Sequence, residues 1–307
     1  MRILFVTATR IGDAVLSTGL LDHLLRSYPE ARITVACGPV AEGVFARMPR
    51  REATIVLEKQ SFSRHWLSLW RQVAGRRWDL VVDLRGSALA WLVPAGRRAV
   101  MRGGRRPGHR IGHLAGVLGL QPAPHPVAWF NGADMARAAA LLQGGGPFIA
   151  LGPSANWAGK VWPPERFVAL FRALTAPGGP MPGARPVILA GPGALEAAMV
   201  APVLQALPDA LNLSGQLELP EAAAVLSRCA LFVGNDSGLM HLSAAAGVPT
   251  LGLFGPTPAD EYAPVGRQAR AVLADGPVGT ASMRDLPVEK ALDAATRLLD
   301  GAATVAA

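Results

Sequence analysis

Short apolar runs punctuate this chain, separated by longer stretches whose apolar residues recur at helical spacing. RILFVTA (2–8), RITVACG (32–38), TIVLE (54–58) and DLVVDL (79–84) form one series. After an interruption come PFIALG (147–152), RPVILAG (185–191), ALNLSG (210–215), ALFVGN (230–235) and PTLGLFG (249–255). Runs that are apolar without alternation predict parallel strands covered on both faces. The stretches 13–27, 63–75, 164–174, 194–206 and 237–246 predict helices between them. Strand, helix, strand repeated means βαβ units and a doubly wound α/β fold. The pattern runs twice. QPAPHPVAWFNG (121–132) is a Pro-rich connector, followed by a helix-like 133–143 and the Gly144–Gly146 run. The boundary is therefore expected near 145, giving domains 1–145 and 146–307, with the last helix (about 287–300) free to pack back on the first. Two Rossmann-like domains facing a central cleft would gather ligands at the carboxyl ends of their strands.

Composition narrows the class. Half of the 307 residues are hydrophobic and 17% are charged, which excludes a disordered chain. The length exceeds what one core usually spans. Cys37 and Cys229 are far apart and form no CxxC, so they predict buried thiols rather than a disulfide framework or zinc ribbon. No apolar run reaches the roughly 18 residues of a membrane span. The apolar start is soon followed by Asp13 and shows no cleavage site, so it reads as the first strand of a cytoplasmic protein.

The net charge of +8 is unevenly spread. Residues 1–150 hold 20 Lys+Arg and 9 Asp+Glu (+11); residues 151–307 hold 10 and 13 (−3). The excess peaks in RRAVMRGGRRPGHRIGH, with Arg97, Arg98, Arg102, Arg105, Arg106 and Arg110. Guanidinium forks suit phosphate oxygens, whether of nucleic acid, anionic lipid or a phosphorylated substrate. A solvated arginine face is the plainer alternative. His109 and His113 have i,i+4 spacing, but the intervening Arg110 and the lack of nearby carboxylates argue against a metal.

Four segments carry candidate chemistry. In TATRIGDAVLSTGLLDHL (7–24), Asp13 sits where a strand hands over to a helix. It either caps that helix or takes a proton from a hydroxyl nucleophile. In GPSANWAGKVWPPERF (152–167), Lys160 is one of only three lysines beside 27 arginines. It either neutralises a phosphate or is an ordinary surface lysine, with Trp157 and Trp162 walling the loop. In VILAGPGALEAAM (187–199), Glu196 stands where a GxGxxG fingerprint needs its third glycine, which weakens a dinucleotide reading. A carboxylate one turn into a helix can accept from ribose hydroxyls, or simply favour the helix dipole. FVGNDSGLMHLSAAAGVPTLGLFGPT (232–257) is the strongest. Asn235, Asp236, Ser237 and Gly238 open a helix of small residues whose N–H groups suit a pyrophosphate. His241 lies one turn on.

Together these segments resemble the heptosyltransferase family of lipopolysaccharide core assembly, glycosyltransferases of the GT-B fold. RIGDAVLSTGLL, the K-x-WP of Lys160 to Pro163, and GNDSGLMHLSAAAGVPTLGLFGPT occur in the family's order, across nearly the whole chain. The resemblance implies an inverting, metal-independent enzyme without a cofactor, moving a heptose from ADP-heptose to the inner core. Asp13 matches the general base, Lys160 the cation beside the donor phosphates, and Glu196 the ribose carboxylate. Asp236, Ser237, Gly238 and His241 match the segment contacting diphosphate and sugar. Ser154 and Ala155 replace the paired threonines frequent in the family, and Ser237 a common threonine. A same-fold glycosyltransferase with another nucleotide-sugar or acceptor is the alternative.

On this basis Arg102, Arg105, Arg106 and Arg110 are expected to hold a phosphorylated lipopolysaccharide acceptor, with peripheral association at the inner leaflet. No nucleic acid partner is expected, because 97–113 lacks interleaved aromatics. A nicotinamide-dependent oxidoreductase would need the missing glycine fingerprint.

Overall fold

The computed structural model describes residues 1–103 and 107–306 and divides into two compact units, Met1–Trp129 and Phe130–Ala307. In the first, β1 (Arg2–Val6), α1 (Ile11–Ser27), β2 (Arg32–Cys37), β3 (Arg51–Val56), α2 (Arg64–Val73), β4 (Trp78–Asp83), α3 (Leu89–Leu92), β5 (Ala95–Val100) and α4 (Arg110–Gly116) follow one another. The five strands make a parallel sheet in the order β3-β2-β1-β4-β5. The chain moves outward from β1 to β3, then crosses back to β4. The order therefore reverses between β1 and β4, the position at which doubly wound sheets take ligands.

The second unit repeats the scheme with α5 (Gly132–Leu141), β6 (Phe148–Gly152), α6 (Pro164–Thr175), β7 (Arg185–Ile188), α7 (Ala194–Ala206), β8 (Leu211–Asn212), α8 (Leu219–Leu226), β9 (Leu231–Asn235), α9 (Gly238–Ala245), β10 (Thr250–Phe254), α10 (Ala259–Tyr262), β11 (Ala269–Leu273) and α11 (Val288–Ala306). Its parallel sheet runs β11-β10-β9-β6-β7-β8, so the order reverses between β6 and β9. The fold class expected from the apolar runs is the one observed.

Two strands escape the apolar pattern. β5 (AGRRAV) and β11 (ARAVL) are edge strands with half-solvated faces, and an edge tolerates arginine where a central strand does not. The division also falls earlier than the Gly144–Gly146 run. Helix α5 belongs to the second unit because it packs on α8, where Arg137 Nε reaches Glu221 Oε1 at 3.1 Å. An Asn131–Asp134 capping box starts it. Helix α11, which the sequence leaves free to return to the first domain, packs into the second unit's core through Ala291, Ala294, Ala295 and Leu298.

In the first unit the connector runs tightly over α1. Val127 N donates to Thr18 Oγ1 at 2.8 Å, and a Cβ on Gly19 would meet Pro124 O at 2.5 Å. The Ser17–Thr18–Gly19 run is small because backbone crosses it.

Candidate functional site

In the second unit, the ends of β6 and β9 lie side by side, with Gly152 opposite Gly234. A Cβ on either would strike the Phe232 ring, at 2.8 and 2.5 Å. The two following loops are then tied together by Asn235, the fully buried last residue of β9. Its Oδ1 accepts from Trp162 N at 3.0 Å and its Nδ2 donates to Pro153 O at 2.9 Å. Both ends of the Lys160 loop hang on this one amide. Trp162 is itself buried, donating Nε1 to Leu286 O at 3.0 Å and packing edge-on against Phe167. Trp157 is half exposed and lies over Gly159, where a Cβ would meet its ring at 2.5 Å.

That scaffold brings four of the expected residues into two pairs. Lys160 Nζ donates to Asp236 Oδ2 at 2.6 Å. Ser154 Oγ donates to Glu196 Oε2 at 2.7 Å, and the same oxygen accepts from Gly191 N at 2.6 Å. Glycine at 191 lets the Glu196 carboxylate close onto the backbone, since a Cβ would sit 2.8 Å from it. Ser237 holds the cap position of α9 but makes no side-chain cap hydrogen bond, so its hydroxyl does not occupy the first-turn N–H groups. His241 is buried one turn into α9. An ammonium, uncapped N–H groups at Gly238, and a carboxylate that already receives a hydroxyl form a set suited to a diphosphate and its ribose.

In the first unit, Asp13 is not the helix cap. Helix α1 starts two residues earlier, at Ile11, with Arg10 at the cap position, and Asp13 stands in the first turn. A carboxylate there is favoured by the helix dipole and leaves its oxygens available. Arg110 approaches it, Nε to Oδ1 at 3.7 Å, and both side chains are partly exposed. Beneath them, Thr7 Oγ1 donates to Ser17 Oγ at 2.9 Å and Ser17 to Ala14 O at 2.7 Å, fixing the turn to the strand.

The basic segment is not one patch. Arg98 is spent on the carbonyls of Ala90, Val93 and Ala95 and lies over the Trp91 ring. Arg97 reaches the Tyr28 hydroxyl at 3.1 Å. His109 caps α4, its Nδ1 accepting from Ile111 N, and His113 Nε2 sits 3.0 Å from Pro107 O. Arg110 stands beside Asp13 and Arg102 is exposed past β5, whereas Arg105 and Arg106 lie outside the described residues. Among the described residues no three His, Cys, Asp or Glu side chains gather as a metal site.

Asn235 is the residue whose job the sequence hid: it reads as part of a helix opening, yet it ends a strand and anchors the neighbouring loop. Asp83, also unremarked in the sequence, accepts from Arg85 N, Ser87 N and Ser87 Oγ and so anchors the loop after β4.

Comparisons with known proteins point to one family. The family model described as glycosyltransferase family 9 (heptosyltransferase) matches residues 113–286. Lipopolysaccharide heptosyltransferase 2 of Salmonella typhimurium is 26% identical over 89% of this chain and 88% of its own length. Lipopolysaccharide heptosyltransferase 3 of Escherichia coli is 23% identical over 80% of this chain and 81% of its own length. Among solved structures, a family 9 glycosyl transferase from Veillonella parvula superposes with a TM-score of 0.81 at 22% identity, covering 98% of this chain and 97% of that one. The E. coli ADP-heptose lps heptosyltransferase II superposes at 0.76 and 22% identity, covering 99% and 100%.

Proposed function

The chain belongs to glycosyltransferase family 9, the heptosyltransferases, and from that premise we propose that it transfers a heptose from ADP-heptose to the lipopolysaccharide inner core with inversion. The observation that carries this proposal is the paired arrangement Lys160–Asp236 and Ser154–Glu196 at the reversal point of the second sheet. In it Lys160 and the N–H groups at Ser237–Gly238 receive the donor diphosphate. Glu196, with Ser154, takes the ribose hydroxyls, and Asp236 and His241 face the sugar.

Asp13 removes the proton from the acceptor hydroxyl as its oxygen bonds to the anomeric carbon. The bond from that carbon to the phosphate oxygen breaks on the opposite face, and ADP leaves. Its growing negative charge meets Lys160 and the α9 N–H groups, preorganised dipoles that need no rearrangement at that moment. No metal ion or further cofactor is required by this scheme. Arg102 and Arg110, with Arg105 and Arg106, take the acceptor's phosphates and acidic sugars, and the reaction runs on the inner-leaflet side of the membrane.

The test is transfer from a panel of nucleotide-sugars to a heptose-deficient lipopolysaccharide acceptor. ADP-heptose is the expected donor, with the product anomer inverted. Preferential turnover of a UDP- or GDP-sugar would reassign the donor and leave the reaction class intact. Asp13→Ala is expected to abolish transfer while ADP binding stays within about twofold, because the base acts only as the bond forms. Near-normal turnover in that variant would remove Asp13 from the role.

A further inference from the structure

Helix α2 buries one face and leaves another apolar face uncovered. Leu69 and Val73 join the first unit's core, with Trp66 partly buried against it. Leu67 and Trp70, one turn apart, point outward and are exposed. Trp70 Nε1 donates to Leu92 O at 2.9 Å, which pins α2 to the short α3. Helix α3 divides likewise: Leu89 and Ala90 are buried, whereas Trp91 is 58% and Leu92 63% exposed. Ahead of α2, Phe62 is 98% exposed. It sits at φ 52°, beside Ser63 at φ 58°, a left-handed pair that holds the ring away from the core. Five large apolar side chains thus stand at the surface, two on α2, two on α3 and Phe62 just ahead of α2.

Cations outnumber acids in the polar surroundings. Lys59, Arg64, Arg71, Arg77 and Arg85 are exposed there beside the acids Glu58 and Asp79, whereas Arg76 is paired with Glu52 at 3.3 Å and Arg97 and Arg98 are committed to Tyr28 and to backbone carbonyls. An apolar face with cations in excess around it, bearing two exposed tryptophans, has the makeup of a surface that lies in the headgroup layer of an anionic bilayer. A protein partner would have to match the same cations with its own acidic rim, and a second copy of this chain would bring cation against cation.

We propose that the α2–α3 surface, with Phe62 at its leading edge, docks the protein on anionic lipid. The surface shares no residue with the Asp13–Arg110 pair or with the arginines assigned to the acceptor. It deepens the inner-leaflet placement proposed above and does not depend on the donor or the transfer reaction.

The experiment is partitioning of the full chain onto vesicles of phosphatidylethanolamine and phosphatidylglycerol, against phosphatidylcholine alone, without donor or acceptor. The wild type is expected to bind the anionic vesicles with a blue shift of tryptophan emission. The triple variant Phe62→Ser, Leu67→Ser, Leu92→Ser, all at exposed positions, is expected to lose at least about tenfold in partitioning. Arg64→Glu with Arg71→Glu is expected to lose a similar factor through charge. Both variants keep the wild-type melting temperature and transfer to a water-soluble, deacylated acceptor. Wild-type failure to bind anionic vesicles, or unchanged binding by the triple variant, overturns the proposal. So does a concentration-dependent dimer abolished by the triple variant in the absence of vesicle binding. Loss of transfer with intact vesicle binding would strike the proposed reaction and spare the docking surface.

Discussion

Replacing Lys160 by Met removes the ammonium and keeps most of the side chain's bulk. Asp236 then retains a carboxylate that is only 8% exposed, without the cation 2.6 Å away. Breaking one side of a fully buried pair costs about 3–5 kcal/mol, whereas a hydrogen bond to a charged group is worth about 1.5–3 kcal/mol net. The Lys160 side chain is 22% exposed, so water can enter its place, and the lower range applies. About 2 kcal/mol in a unit of this size is a fall of about 4–8 °C in melting temperature. Asp236→Asn costs less, about 1 kcal/mol, because the ammonium left behind can turn to solvent. The double variant should be more stable than the two single losses added together, by a coupling of about 1–2 kcal/mol.

Calorimetry of the four proteins measures this cycle, and repeating it with ADP measures the proposed phosphate contact separately. At about one hundred times its dissociation constant a ligand adds about 2.7 kcal/mol of apparent stability. Loss of the Lys160 contact should weaken ADP by about tenfold or more, so Lys160→Met gives up about half of that gain at the same ADP concentration. Single and double variants that all melt with the wild type would refute the inference drawn from the 2.6 Å contact. A cycle with strong coupling but an undiminished ADP shift would leave the ion pair and remove Lys160 from the phosphate site.

Three further outcomes follow from individual contacts. Asn235→Ala leaves Trp162 N–H and Pro153 C=O without their partner in a dry place; a loss of about 2–4 kcal/mol and weaker ADP binding are expected by thermal shift, and unchanged binding would mean the loop holds itself. Gly19→Val should destabilise the first unit by more than about 2 kcal/mol, since even a Cβ meets the Pro124 carbonyl at 2.5 Å and cannot move backbone cheaply; wild-type stability in denaturant would show the connector free to shift. Burial pushes the Cys37 and Cys229 thiols up from 9.0 to about 12, with Glu42 adding to the rise at Cys37 and Arg51 opposing it. Neither should react quickly with a thiol reagent at pH 8 until the protein is unfolded. Because the folded state favours the neutral thiols, their contribution to stability is complete below about pH 9 and is lost as pH rises toward 12; flat stability over that range would contradict the burial.

Apolar runs made the central strands legible, because a parallel strand covered on both faces has no other composition open to it. The same criterion could not find β5 and β11, whose edge positions allow arginine on the open side. The residue types of the candidate site stand out in the sequence for a related reason. A lysine in a chain with three lysines and 27 arginines, and a glycine–asparagine–aspartate–serine–glycine stretch at a strand end, are choices that packing alone does not explain. What the sequence concealed is which side chain holds which loop. Asn235 and Asp236 are adjacent and look like one helix opening. The strand's alternation sends the first amide into the Pro153–Trp162 loop and leaves the next carboxylate to meet Lys160. Likewise Asp13 looks like a cap because helix starts are read from Asp and Ser, whereas α1 begins at Ile11 with an uncapped Arg10 before it.

The division of charge outlasts the shift of the boundary, which bears on where the cations act. Moving the division from 145 to 129 transfers Asp134 and Arg137 together, so the first unit keeps +11 and the second −3. What changes is the address of the surplus. Arg97 and Arg98, central to the basic run in the sequence, are committed to a tyrosine hydroxyl and to backbone carbonyls, a scaffolding use that the fork geometry of guanidinium serves well. The cations assigned to an anionic partner therefore fall into two groups, one with Arg110 beside Asp13 and Arg102 past β5, the other with Lys59, Arg64 and Arg71 around the uncovered face of α2 and α3. A lipid-linked, phosphorylated acceptor requires both kinds of contact at once, one at its sugar phosphates and one at the bilayer that holds it. A soluble acceptor would need only the first and would leave the exposed tryptophans and leucines as an uncompensated cost in water.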